Sequence, residues 1–243
     1  MSQQTNALGQ LLDRPVPDWQ SPSPPPREPM HGRCCRLEPL DAERHARPLY
    51  EAFALDVEGR NWTYLPYGPY DSFDSYRAWV ESASTGPDPL FFAIIDLASG
   101  RAAGVASFMR IDPRSGSIEV GGLNFSPLLQ GRPAATEAMF LMMQRAFALG
   151  YRRYEWKCNA LNAPSRSAAL RLGFSFEGLF RQATVVKERN RDTAWYSVVD
   201  GEWPLLQAAF VRWLAPENFD AQGQQKLRLS DLTAAVPKVA GIG

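Results

Sequence analysis

SIEVGGLNFSPLLQGRPAATEAMFLMMQRAFALG, residues 117–150, begins as a strand and ends as a helix. Ile118, Val120 and Leu123 are apolar among small or polar neighbours, and Gly121-Gly122 interrupts them where a bulge or a close ligand approach fits. Residues 126–133 carry Pro127, Gly131 and Pro133 and read as a turn. Beyond it Met139, Met142, Met143, Ala146, Phe147 and Leu149 recur at helical spacing. A strand, a Gly-bearing turn and a helix start in series make an anion site. Unpaired N–H groups and the positive end of the helix dipole converge there.

The flanking sequence supplies a sheet for this unit. Residues 90–97 (LFFAIIDL) and 102–111 are strands joined by the turn at Ser99-Gly100, and Pro113-Arg114-Ser115-Gly116 turns into the opening strand. Residues 154–158 alternate as a strand, parallel to the one before the helix because the crossover is helical. Residues 33–40 fit a first strand, Asp41 caps a helix running to Phe53, and Asp71 or Ser72 starts another. Ser165 is read as the cap of a helix that Gly173 closes. Residues 174–180 and 193–199 are strands linked by a charged, solvated turn at 187–192, and 204–214 is an amphipathic helix. The fold class is α/β, an α+β mixed sheet, mostly antiparallel with one parallel βαβ unit.

Three segments follow: a Pro-rich arm at 1–32, a globular domain at 33–214 and a polar, loosely packed tail at 215–243. Leu11, Leu12, Val16 and Trp19 are the expected anchors of the arm. Lys+Arg and Asp+Glu are both 26, which argues against a nucleic-acid binder held by charge. The three cysteines (two of them adjacent) indicate no disulfide framework, and no spacing of Cys or His suggests a metal site. With histidine only at 31 and 45, a His-dependent triad is not expected. No signal peptide and no membrane span is read, so a cytoplasmic protein is expected.

Three motifs carry a resemblance. The first is PLLQGRPAATEA at 127–138, the second NAPSRSAA at 162–169, the third RLGFSFEG at 171–178. Together with the element order over about 33–204, they resemble the GNAT superfamily of acetyl-CoA-dependent N-acetyltransferases, in the branch of the ribosomal-protein N-terminal acetyltransferases. The resemblance implies a GNAT fold in which the fourth strand (117–125) and the fifth (154–158) splay apart to admit the pantetheine arm of acetyl-CoA. It also implies an oxyanion donor near Leu123 or Asn124 and diphosphate donors from Gln130, Gly131 and Arg132 to Ala134 and Ala135, with Phe125 and Thr136 also among the cofactor-binding residues. Asn162 and Ser165 would meet the pantetheine and thiol. The chain departs from the family pattern at Leu128 and at Pro133, which removes one N–H but suits the first turn of a helix.

Acetyl transfer to an amine needs a group to take the amine proton and one to return a proton to the leaving thiolate. Glu119 is a base candidate or a solvated strand residue. Ser165 is an acid candidate or a plain cap. Tyr196 is a second acid candidate or a core residue. Cys158 reads as a small packed side chain, and Glu177 and Arg181 as facing the acceptor or each other. The acceptor, a protein N-terminus or a small amine, would sit between the aromatic loop at 62–70 and the late strands. Two readings stand: an acyltransferase, or an acyl-CoA-binding sensor or scaffold without turnover. A homodimer remains open.

Overall fold

The sheet is built outward from one parallel pair. In the computed structural model, which describes residues 4–239, β7 (Ser117–Phe125) runs into α3 (Pro133–Ala148), and α3 returns the chain to β8 (Arg153–Asn159) alongside β7. Every other neighbouring pair is antiparallel. The eight strands lie in the order β3-β4-β5-β6-β7-β8-β10-β9, where β3 is Met30–His31, β4 Cys35–Pro39, β5 Leu90–Asp96, β6 Arg101–Asp112, β9 Ser175–Val186 and β10 Arg189–Val199.

Helices cover both faces, so β5 is apolar on both sides. Phe92 and Ile94 of β5 point to the core beneath α3, α4 (Ala163–Arg171) and α5 (Trp203–Leu214). Their alternates Phe91, Ala93 and Ile95 point to a second core beneath α1 (Ala42–Phe53) and α2 (Phe73–Thr85). The Asp41 and Ser72 caps form as expected, accepting from the N–H groups of Arg44 and Ser75.

Several expectations are corrected. The first strand is shorter than residues 33–40. The late strands are longer than expected: β9 and β10 form one hairpin whose tight turn lies at Lys187 and Glu188, both at positive φ. Most of β9 is exposed, so apolar alternation ends where its core ends. The described part of the tail, residues 215–239, is not loose; residues 240–243 of the tail and 1–3 of the arm lie outside the described residues. Helix α6 (Leu229–Ala234) buries Leu229 and Thr233, Val236 joins the main core, and the Thr233 hydroxyl and Lys238 ammonium donate to the carbonyls of Arg171 and Gly173. In the arm only Trp19 of the four expected anchors docks, its ring lying on Gly116 with the Arg152 guanidinium over it. Leu11 and Leu12 form an exposed hairpin, β1 (Gln4–Thr5) with β2 (Leu11–Leu12).

Candidate active site

The parallel pairing of β7 and β8 stops early. Ser117–Val120 pair with Arg153–Trp156, and both strands then run on without pairing to each other. On its other edge β7 is bulged against β6: Val105 faces Asn124 and Ser107 faces Gly121, so two residues of β7 stand opposite one. Gly122 occupies that bulge at φ +59°, a left-handed conformation that favours glycine. The result is the expected splay: beyond Val120 the β7 edge facing β8 has no strand partner.

The turn after β7 narrows the expected phosphate donors. The N–H groups of Gln130, Arg132 and Ala135 bond to the carbonyls of Ser126, Leu129 and Arg132. Pro133 has none and takes the first helical position, where one is spare. Gly131 and Ala134 keep N–H groups with no hydrogen bond among the described residues. Gly131 sits at φ +71° with open space where a side chain would project. Arg132 lies at the α3 start, and Thr136 in the first turn accepts from Arg171 at 3.1 Å. An open strand edge beside free N–H groups at a helix start fits the arm and diphosphate of acetyl-CoA.

The candidate proton-transfer groups fall on opposite faces of the sheet. On the α4 side Trp156 Nε1 donates to Ser165 Oγ at 3.0 Å, and Arg166 Nε donates to the Tyr196 hydroxyl at 3.2 Å. Tyr196 is buried in the main core. Ser165 is not the cap: Asn162 holds that position, its Oδ1 accepting from the Ser165 N–H at 3.2 Å. Burial pushes the neighbouring Cys158 thiol up, opposed by the Ser165 hydroxyl, so the thiol stays protonated and weakly nucleophilic.

On the α1–α2 side Glu119 is only 2% exposed, which overturns its reading as a solvated strand residue. Its Oε2 takes both Arg110 Nη1 at 2.8 Å and Lys157 Nζ at 2.9 Å, while Oε1 has no hydrogen bond among the described residues. The charges continue across the sheet. Lys157 also meets Glu155 at 2.6 Å, and Arg153 bridges Glu155 and Glu177. Burial alone would raise Glu155, but hydrogen bonds from Lys157 and Arg153 outweigh it and hold the carboxyl low. The Arg153 hydrogen bonds likewise hold Glu177 low, so Glu177 pairs with Arg153 and not with Arg181.

The aromatic loop is tied over this face. Asn61 Nδ2 and Gln130 Nε2 both donate to the Phe125 carbonyl, at 3.1 and 2.7 Å. The Tyr64 hydroxyl reaches the Leu161 carbonyl at 3.2 Å, and Lys187 Nζ reaches the Trp62 carbonyl at 2.8 Å. The turn at Lys187 is therefore not simply solvated. Beneath the loop Asn124 is buried with neither side-chain polar atom bonded, and Leu123 packs against the main core. Sequence reasoning missed Arg110, Lys157 and Asn61. The alternation Glu155-Trp156-Lys157 was the available signal for Lys157; for Arg110 and Asn61 it lay in pairings across the fold.

This architecture has relatives. The acetyltransferase (GNAT) domain model matches residues 35–175. The ribosomal-protein-serine acetyltransferase of Escherichia coli (strain K12) is 27% identical over 168 residues, which is 66% of this chain and 91% of that protein. A GCN5-related N-acetyltransferase from Brucella melitensis superposes with a TM-score of 0.88 at 50% identity, covering 90% of this chain and all of that one. A GNAT-family protein of Chromobacterium violaceum gives 0.73 at 40% identity over 79% of this chain and 96% of that one. No described helix is long and apolar enough to cross a membrane. Because the matched segment spans more than half of the sequence and holds both the splayed strands and the turn at Gly131, the chain belongs to the GNAT family of acetyltransferases.

Proposed function

We propose that the protein transfers the acetyl group of acetyl-CoA directly to a primary amine, with the two faces of the sheet serving the two substrates. The observation that carries this is the end of β7–β8 pairing at Val120 and Trp156, beside the unbonded N–H groups of Gly131 and Ala134. Acetyl-CoA supplies an activated acyl group and a thiol leaving group. The turn at Gly131 and Ala134 holds its diphosphate, assisted by the charge of Arg132. The backbone of Leu123, Asn124 and Phe125 lines the acetyl end, where an N–H on the open edge stabilises the carbonyl oxygen.

The amine enters from the α1–α2 side, under the loop that Asn61 and Tyr64 fasten. Its nitrogen bonds to the acyl carbon, the carbon–sulfur bond breaks, and the amine gives up one proton. Glu119 takes that proton on Oε1; Arg110 and Lys157 fix the other oxygen and so orient the free one. The departing sulfur takes a proton from the opposite face. Ser165 and Tyr196 are the two candidate donors: each hydroxyl accepts, from Trp156 and from Arg166, and keeps its own hydrogen to give. Asn162 spends Oδ1 on the helix cap and offers Nδ2 to the pantetheine.

Two measurements test the reading together. Titration calorimetry with acetyl-CoA should give saturable binding, and no heat at millimolar coenzyme would refute it. A screen of amines and N-terminal peptides for CoA release should find turnover that falls about 100-fold or more in Glu119→Gln, the range for loss of a general base. Binding without turnover across the screen would favour a sensor or scaffold.

A further inference from the structure

We propose that the acceptor amine carries a carboxylate, and that Arg191 is the residue that recognises it; this rests on the acetyl-transfer reading above. Strand β10 overruns β8. The last pair between them is Thr193 with Asn159, so Arg191 stands two residues past the end of β8, at the mouth of the splay. β9 is bulged opposite this point, between the pairs Arg191–Thr184 and Thr193–Phe180, and the bulge turns the hairpin so that its tip reaches the aromatic loop.

The charges on this face are otherwise matched. Arg110 and Lys157 share Glu119, Lys157 also takes Glu155, and Arg153 takes Glu155 and Glu177. Lys187 is held by the Trp62 carbonyl. The Arg191 side chain has no ion pair or hydrogen bond among the described residues, and its Nε is buried without a partner. Burial pulls its guanidinium below the ordinary value, and the Glu119 charge opposes that. A second donor, Trp195 Nε1, is also buried and unbonded four residues along the same strand. Guanidinium and indole groups donate and never accept. Burying them unpaired is costly, so the missing partner is an acceptor that arrives with a ligand. A planar guanidinium fork matches a carboxylate. A dianionic phosphate would meet stronger repulsion from Glu119 than a monoanion does.

That carboxylate has two sources: the α-carboxylate of a free amino acid, or an acidic side chain just after a peptide N-terminus. Two probe pairs separate them. One is L-alanine with L-alaninamide. The other is the amidated peptide Ser-Glu-Glu-Ala with Ser-Gln-Gln-Ala. Binding is measured calorimetrically to the full chain, with and without saturating CoA. In one pair the charged probe should bind about tenfold or more tighter than its neutral partner, as expected for a hydrogen bond to a charged group. Arg191→Gln should collapse that ratio to near one, and Arg191→Lys should keep part of it, each at an unchanged melting temperature.

Equal affinity within both pairs would overturn the proposal, as would a preference that survives Arg191→Gln. If Arg191→Gln melts early, the Arg191→Lys ratio decides: a ratio as large as that of the unmodified chain overturns the assignment. CoA binding and amine turnover without a carboxylate preference would refute this inference alone. A carboxylate preference in a chain that binds no CoA would refute the acetyl-transfer reading alone.

Discussion

Gly131→Ala separates the proposed coenzyme turn from the stability of the fold. At φ +71° an alanine pays the left-handed penalty of about 1–2 kcal/mol, yet its Cβ would meet no atom within 4 Å. For a chain of this size that corresponds to a drop of roughly 2–8 °C in melting temperature. Gly223 is a matched control. It lies in the C-terminal segment at φ +75°, also with nothing within 4 Å of a projected Cβ. Gly223→Ala should lower the melting temperature by a similar amount. The two variants should part in calorimetry with acetyl-CoA. In the proposed site the methyl of Gly131→Ala enters the open space that the diphosphate would share. Losing one hydrogen bond to a charged phosphate, about 1.5–3 kcal/mol, weakens binding roughly 10- to 150-fold. Gly223→Ala should bind as the unmodified chain does. Equal affinity of both variants would show that the diphosphate does not lie over Gly131.

Three further outcomes are expected. His45 is buried: burial pulls its imidazole below the usual value, Nδ1 accepts the Asp41 N–H at 3.0 Å, and Nε2 meets Glu38 at 3.2 Å. The unfolded chain therefore takes up this proton first, and melting temperature should fall as pH drops below about 6.5; His45→Gln should flatten that slope, and an identical slope would dismiss His45 as its source. Leu229→Ala should cost about 2–5 kcal/mol in denaturant unfolding, because Leu229 is buried in the main core; a cost near zero would mean that the C-terminal helix is not docked in solution. Cys158, with its thiol pushed up by burial, should resist Ellman's reagent in the native state at pH 8 and react on unfolding, whereas rapid native labelling would place it in the open splay.

What was legible in the sequence was what is written in contiguous residues. The apolar alternation of 90–97, the helical spacing after Pro133 and the caps at Asp41 and Ser72 report local backbone geometry, and each formed as read. The double glycine gave the bulge because only a local backbone need places Gly122 at positive φ. Boundaries failed where burial, the cause of the pattern, was absent or came from afar. β9 runs to Val186 mostly in solvent, held by hydrogen bonds to β10. The tail looked polar, yet Leu229, Leu232, Thr233 and Val236 keep helical spacing and dock on α4 and α5. Ser165 lost the cap to Asn162 because either residue type can cap, and only the φ and ψ of the turn choose between them.

The site divides the same way. Both motifs proposed to hold the coenzyme are local, so the turn at Gly131 and the helix at Asn162 could be found along the chain. The proposed acceptor face is assembled from β6, β7, β8 and β10 across the sheet, and its chemistry lies in who pairs with whom. Glu119 is a plain glutamate in sequence. Two cations on one of its oxygens make it an oriented carboxylate, and that requires Arg110 and Lys157 from neighbouring strands. Arg191 differs from them only in lacking such a partner. A turn that holds a coenzyme needs backbone, which one segment supplies. A surface that selects an acceptor needs a particular surplus of charge, which only the assembled sheet defines.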